Sequence, residues 1–335
     1  MYPYIYNDFV IYTENTDKYE VKNMKTVDIV VPCFNEEEVL PEFVRVTNEV
    51  IATLPQYSFR YILVNDGSRD KTLMVMMKLA EQYDNVKYIS FSRNFGKESA
   101  MYAGLEHTTA DFVIVMDADL QHPPAMFPAM LAEIEKGHDC CALYREEKER
   151  KDGFLRTAFS NLFFNLQNSM TDVKMPKGAV DYRVMSRQMI DSILAMSEVQ
   201  RFSKGIFCWV GFDTKWIPYE NVERTIGTSS WNFWGLFRYA IDGIVCFSVS
   251  PLRWLIIIGI LMLVAAAGLG IAMIFMAIFA SVGIFVPVLC AVLAVGGILE
   301  LSMGILGEYI GRNYMEVKDR PIYIAKLKNI EKADR

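Results

Sequence analysis

Residues 112–124 read FVIVMDADLQHPP, an apolar run that stops at two carboxylates one residue apart, Asp117 and Asp119, with Gln121 just beyond. A short β-branched run bounded in this way predicts a strand buried on both faces. Three runs of the same kind precede it, at 27–32 (VDIVVP), 61–66 (YILVND) and 86–92 (VKYISFS). Helical stretches fall between them at 36–53, 70–83 and 97–108, and another follows at 124–136. Strand–helix alternation at this spacing predicts an α/β, Rossmann-like domain whose mostly parallel sheet is covered on both faces. Such sheets bind ligands at the carboxyl ends of their strands, so the strand ends are where function is to be read.

The first strand ends in Pro32-Cys33-Phe34-Asn35-Glu36-Glu37 and the second in Asn65-Asp66-Gly67-Ser68. The third ends in Ser92-Arg93-Asn94-Phe95-Gly96-Lys97 and the fourth in Asp117-Ala118-Asp119-Leu120-Gln121. No G-x-G-x-x-G follows the first strand, and Gly96-Lys97 lacks the upstream glycine and the following Ser or Thr of a P-loop, which excludes dinucleotide and P-loop sites. Asp117, Asp119 and Gln121 instead offer hard oxygen ligands for Mg²⁺ or Mn²⁺, whose remaining positions a diphosphate would fill. Arg93 and Lys97 add positive charge beside them. Each element also has a plain structural reading. A lone D-x-D is commonly a solvated acidic turn, Asp66-Gly67 an ordinary turn, and Glu36 and Glu37 first-turn helix charges.

The chain has 335 residues, 52% hydrophobic and 22% charged, with a mean hydropathy of +0.17. That excludes a disordered chain. A net charge of −6 and a pI near 5.3 argue against nucleic acid as a partner. Six cysteines without a C-x-x-C and only three histidines leave no zinc module, and in a chain of this length the cysteines read as reduced thiols.

The apolar excess is concentrated in residues 254–299, which contain no charged residue. One helix over that stretch would run about 70 Å, against a hydrocarbon core of about 30 Å. Two transmembrane helices fit, near 252–278 and 285–310, with the break around Ser281, Gly283 and Pro287. Arg253 precedes them, while Arg312, Lys318, Arg320, Lys326 and Lys328 follow, so the positive-inside rule puts both termini and the soluble domain in the cytoplasm. Residues 1–25 have no basic start and no clean apolar core, which excludes a signal peptide and leaves an N-terminal extension. Residues 229–251, crowded with Trp231, Phe233, Trp234, Phe237 and Tyr239, read as an interfacial amphipathic segment or as a core helix of the soluble domain. Glu300 and Glu308 fall in or near the second helix; ionisable groups at that depth are functional candidates, and Glu308 also pairs naturally with Arg312 at the helix end. Residues 311–335 read as a cytoplasmic tail.

PCFNEE, VNDGSRDKT, SRNFGKESA and MDADLQHPP, in that order and spacing, resemble the successive signatures of glycosyltransferase family 2, inverting enzymes with a GT-A fold. The resemblance continues through DYRVMSR (181–187), RFSKG (201–205) and RTIGTSSW (224–231), covers roughly 26–325, and with the two membrane helices points to the polyprenyl-phosphate glycosyltransferase branch. It implies a domain over 26–228, a membrane hairpin over 252–310, and transfer of a sugar from a nucleotide diphosphate, UDP favoured, to undecaprenyl phosphate at the cytoplasmic face of the cell membrane, serving envelope glycans. By the same resemblance Pro32, Asn35, Glu37, Asp66, Arg93, Lys97, Asp117, Lys204 and Arg224 would bind the nucleotide sugar, and Asp117, Asp119 and Gln121 the metal. Asp181 would act as base, or orient the acceptor, or simply pair with Arg183. Arg145, Arg183 and Arg201 would be candidates for the acceptor phosphate. The family's D-L-Q-D-P-P reads Asp119-Leu120-Gln121-His122-Pro123-Pro124 here, and Ala142-Leu143-Tyr144-Arg145 stands where a Gly-x-Arg turn is usual.

Competing readings are a processive polysaccharide synthase, a transferase with another acceptor, and an inactive membrane-anchored scaffold. The first lacks its Gln-x-x-Arg-Trp motif and extra helices here, and the intact Asp117, Asp119, Gln121 and Asp181 argue against the last. Two helices are too few for a transporter unless the chain assembles with itself, for which Gly307-x-x-x-Gly311 offers a packing face, or with a flippase.

Overall fold

The structure, a computed structural model, describes residues 24–145, 176, 178–196, 198–219, 250–279 and 285–332. The stretches expected to form the N-terminal extension, the charged loop from Glu146 to Arg156 and nearly all of the interfacial segment lie outside the described residues, as does Arg224. Strands β1 (Lys25–Cys33), β2 (Tyr57–Asn65), β3 (Val86–Phe91) and β4 (Phe112–Val115) alternate with α1 (Leu40–Ile51), α2 (Thr72–Gln82) and α3 (Lys97–Glu106). A 3₁₀ turn at Pro124–Met126 leads into α4 (Phe127–Glu135). Then come β5 (Cys140–Arg145), β6 (Ala179–Ser186), α5 (Arg187–Leu194), α6 (Ser203–Trp209) and β7 (Thr214–Tyr219). Two long helices, α7 (Ser250–Phe279) and α8 (Phe285–Val317), precede a last strand, β8 (Ala325–Lys328). All four strands read from the sequence form. Helix α1 begins at Leu40 rather than at 36, because residues 34–39 are held as a turn by β2-side contacts and Pro41 fits a first helical turn.

The eight strands form one sheet in the order β7-β5-β6-β4-β1-β2-β3-β8. Strands β1, β2, β3 and β4 are mutually parallel, β5 is parallel to β7, and β6 and β8 run the opposite way to their neighbours. Alternate residues of β1 feed opposite faces, as the pleat requires. Val27, Ile29 and Val31 join Leu40, Phe43, Phe127 and Leu131 in one core layer. Val30 joins Ile62, Val64, Met101, Ile190 and Phe207 in the other. Gly104 lets α3 lie against the sheet, since a Cβ there would stand 2.2 Å from Val30 Cγ1.

Reversal of β6 is what builds the rim. Phe112 lies opposite Ser186 and Val115 opposite Arg183. Carried two residues further, the same antiparallel register sets Asp117 across from Asp181. The beginning of β6 therefore meets the ends of β1 to β4.

Helices α7 and α8 are 30 and 33 residues long, about 45–50 Å each, and contain two stretches apolar and long enough to span a membrane, Trp254–Ala272 and Ala294–Val317, neither buried within the chain. The boundary expected at 310 falls inside α8, which continues to Val317. The residues expected to be a free tail return to the sheet: Tyr323 stacks on Phe91 at 4.9 Å and donates to Glu106 at 2.5 Å, and β8 pairs with β3.

Candidate active site

The loops after β1 and β2 hold each other. Asn35, in the left-handed region at φ 57°, donates its amide to Ser68 Oγ at 2.9 Å and accepts from Arg69 N–H at 2.9 Å. Glu37 accepts from Lys71 N–H at 2.8 Å, while Pro32 stays half-buried inside β1, paired with Val64. Asp66 is only 3% exposed and spends both oxygens on the next loop, accepting from Phe95 N–H at 2.6 Å and Gly96 N–H at 2.9 Å. Burial raises its pKa, against the pull of those two amides and of Arg93. Gly67, at φ 63°, is where the two loops touch: a Cβ there would lie 2.3 Å from the carbonyl carbon of Arg93. Arg93 itself covers the Phe95 ring at 3.9 Å. These contacts fix the start of α3.

At that start, Lys97 Nζ bridges two carboxylates, 2.7 Å from Asp117 Oδ1 and 2.8 Å from Asp181 Oδ2. Burial opposes the Lys97 charge, but Asp117 and Asp181 outweigh it and raise the ammonium pKa. Burial likewise opposes the Asp181 charge, and Lys97, Lys204 and Arg183 overturn that, holding its carboxyl below the usual range. The other Asp181 oxygen, Oδ1, is buried without a hydrogen-bond partner. So is His122 Nδ1, which lies 4.0 Å from Asp117 Oδ2 in a ring stacked on Tyr182. Burial pushes the His122 pKa below its ordinary value, chiefly against Asp117.

Asp119 forms a tight turn, its Oδ1 accepting from Gln121 N–H at 3.2 Å, with Leu120 driven to φ 57°. A leucine in that region is held there by its surroundings, and such strain gathers at functional sites. Among the described residues no group of three or more His, Cys, Asp or Glu side chains is arranged to hold a metal ion by itself. Asp117, Asp119 and Gln121 nevertheless suit a hard cation that completes its shell with diphosphate oxygens, and the buried oxygen Oδ1 of Asp181 leaves an acceptor unused at the same rim.

The glycosyl transferase family 2 model matches residues 28–194, the stretch that carries this rim. CsbB of Bacillus subtilis (strain 168) is 42% identical over 320 residues, covering 92% of this chain and 93% of that protein. The prophage bactoprenol glucosyl transferase homolog of Escherichia coli (strain K12) is 37% identical over 302 residues, with 90% and 98% covered. The chain belongs to glycosyltransferase family 2. Among solved structures, the mannosyltransferase PcManGT of Pyrobaculum calidifontis, in complex with GDP-Man and Mn²⁺, is 17% identical with a TM-score of 0.46, over 88% of this chain and 86% of that one. The fold of this glycosyltransferase is the GT-A-like mixed α/β sheet described above.

Two of the three arginines expected at the acceptor phosphate have their guanidiniums on other groups. Arg183 is 2% exposed, lies over the Phe207 ring at 4.0 Å and donates to the Val180 and Asp181 carbonyls. One residue pair further in from the rim than Asp181, it sits beneath α6. Arg201 lies over the Tyr102 ring at 4.7 Å and donates to the Met196 and Ile193 carbonyls. Both guanidiniums are committed to the protein's own backbone and rings. Arg145 ends β5 half-buried, its N–H donating to the Gly178 carbonyl. The charge of Lys204, by contrast, helps hold the Asp181 carboxyl below its usual range.

One residue escaped the sequence reading. Glu98, in the first turn of α3, accepts from Ser203 N–H at 2.8 Å and from the Ser203 hydroxyl, fastening the start of α6 to the start of α3. Burial, and then Asp181, push its pKa up to about 7. Its sequence signal is only that of a first-turn helix acid, and its partner is 105 residues away.

Proposed function

We propose that this glycosyltransferase moves a sugar from a nucleotide-diphosphate donor to a polyprenyl phosphate, with UDP-glucose and undecaprenyl phosphate the pair to test first. The relatives named bactoprenol glucosyl transferase support the glucosyl group and the bactoprenol acceptor, among them that of Shigella phage SfX, 37% identical over 302 residues. The observation that carries the reading is the Asp117–Lys97–Asp181 bridge at the carboxyl rim, with one Asp181 oxygen buried and unpartnered beside it. The acceptor's phosphate oxygen attacks the anomeric carbon, the bond from that carbon to the diphosphate oxygen breaks, and the nucleoside diphosphate leaves with the electron pair. The configuration inverts.

A phosphate monoester is already ionised near pH 7, so no strong base is needed. A carboxylate whose pKa is held low is a poor proton acceptor, which favours Asp181 as the group that orients the acceptor and balances Lys97. Lys97 and Lys204 supply positive charge where acceptor and leaving group meet. Asp117, Asp119 and Gln121 would hold Mg²⁺ or Mn²⁺, which when bound neutralises charge on the diphosphate. The two apolar helices keep the domain at the headgroup level where a lipid phosphate is found, with the domain on the cytoplasmic side.

The test is label transfer from UDP-[¹⁴C]glucose into the organic phase by the full-length protein in detergent, with undecaprenyl phosphate and Mn²⁺ or Mg²⁺. Label that EDTA abolishes, and that Asp119→Ala loses while keeping the wild-type melting temperature, is the expected result. Label in lipid that survives EDTA removes the metal; UDP release without lipid label removes the acceptor.

A further inference from the structure

The membrane hairpin is tied to the domain by more than chain connectivity. Near the end of α8, both carboxylate oxygens of Glu316 accept from Val199 N–H at 3.0 Å, and one also accepts from Gln200 N–H at 3.1 Å. These are charge-assisted contacts to backbone, the stronger kind of hydrogen bond. Arg201 follows directly, resting on the Tyr102 ring of α3 and close enough to Glu98, Glu198 and Glu316 for all three to act on its charge. Ser203 is held by Glu98, the residue after Lys97, which bridges Asp117 and Asp181. One continuous segment, 198–204, therefore joins the end of the membrane helix to the start of α3, where Lys97 meets the rim carboxylates. The loops after β1 and β2 are held separately, by Asn35 with Ser68 and Arg69 and by Glu37 with Lys71.

We propose that Glu316 is a positioning residue for the acceptor side of the site: it fixes the 198–204 segment to the membrane helix, so that the Ser203–Glu98 clamp and the first turn of α3, which presents Lys97 to Asp117 and Asp181, keep their place only while that helix is docked on the domain. The geometry is independent of the reaction proposed above; the identity of the acceptor rests on it. A soluble donor arrives from water, whereas a lipid phosphate arrives at a fixed height in the headgroup layer. Fastening the acceptor-side segment to the membrane helix holds that segment at the same height.

The experiment compares full-length wild type, Glu316→Ala and Glu316→Gln in lipid nanodiscs, by amide hydrogen exchange and by initial rates with UDP-glucose and undecaprenyl phosphate. In Glu316→Ala, protection falls at Val199 and Gln200 and the loss extends through Ser203 and Lys204, while β1, β2 and β4 keep theirs. The apparent KM for undecaprenyl phosphate rises about tenfold and the dissociation constant of UDP-glucose stays within about twofold, with Glu316→Gln, which retains one accepting oxygen, in between. Loss of protection confined to residues 199–200 overturns the proposal. So does equal weakening of donor and acceptor, which is the mark of general loosening. A wild type that makes no lipid-linked product removes the acceptor assigned above, and the exchange pattern then decides the role of Glu316 by itself.

Discussion

Replacing Glu98 with glutamine isolates one carboxyl whose cost can be worked out. Its side chain is half-buried, faces Lys97, Asp181 and Ser203, and has a pKa raised from 4.5 to about 7, with burial the largest cause and Asp181 the next. The folded state therefore holds this proton more tightly than the unfolded one. Its stabilising contribution is fully present below pH 4.5 and is lost as the pH rises through 7. A shift of that size corresponds to about 3 kcal/mol, at 1.36 kcal/mol per pH unit. The substituted amide keeps an oxygen for Ser203 and carries no charge, so the variant lacks this loss. Thermal melting in detergent, followed by tryptophan fluorescence from pH 4.5 to 8, reads the difference. Wild type should fall relative to Glu98→Gln by about 5–10 °C across that range, most of it between pH 5 and 7.5. Parallel curves for the two proteins would show that Glu98 is ionised at no cost, and would refute the burial argument together with the reading of the Glu98–Ser203 clamp.

Three other substitutions test the rim. Lys97→Met leaves Asp117 and Asp181 facing each other without the cation that bridges them; with the Lys97 side chain 40% exposed, the cost discounted for solvent is about 2 kcal/mol, seen as a lowered melting temperature at pH 7.5 and loss of turnover. Gly67→Ala forces a Cβ to within 2.3 Å of the Arg93 backbone at a φ of 63°, and should destabilise by about 2–4 kcal/mol in chemical unfolding. Leu120→Gly relieves a φ of 57° but loosens the unfolded chain, so stability stays within about 1 kcal/mol, while the looser Asp119–Gln121 turn weakens UDP-glucose binding about tenfold by calorimetry.

The strands were legible because buried parallel strands are written in one continuous apolar vocabulary, and their ends because the polar residues begin where that vocabulary stops. What single residues face was not legible. Asp181 and Arg183 are two apart on one strand and share a face, yet one meets Lys97 and the other lies under Phe207. That difference is set by the register of β6 against β4, a pairing between segments more than sixty positions apart that no local pattern encodes. Arginine chemistry suggested phosphate for Arg183 and Arg201; the same planar, delocalised charge also suits stacking on Phe207 and Tyr102, and residue type alone does not choose between them.

The C-terminal strand is a different case, because its signal was present. Residues 321–328, PIYIAKLK, set Ala325 and Leu327 against Lys326 and Lys328 with a period of two, a strand pattern, and the strand forms at the sheet edge with all four residues of β8 exposed. The physical consequence is larger than one extra strand. The chain leaves the sheet after β7, passes through α7 and α8 and comes back to pair with β3, with Glu316 gripping the 199–200 backbone on the way. The exit end of the apolar hairpin is thereby bound to the domain that presents Lys97, Asp117 and Asp181. A catalytic domain joined to its anchor by chain connectivity alone could swing away from a lipid acceptor on the timescale of loop motion; one clasped at Glu316, with the chain beyond α8 paired to the sheet edge, has less freedom to do so.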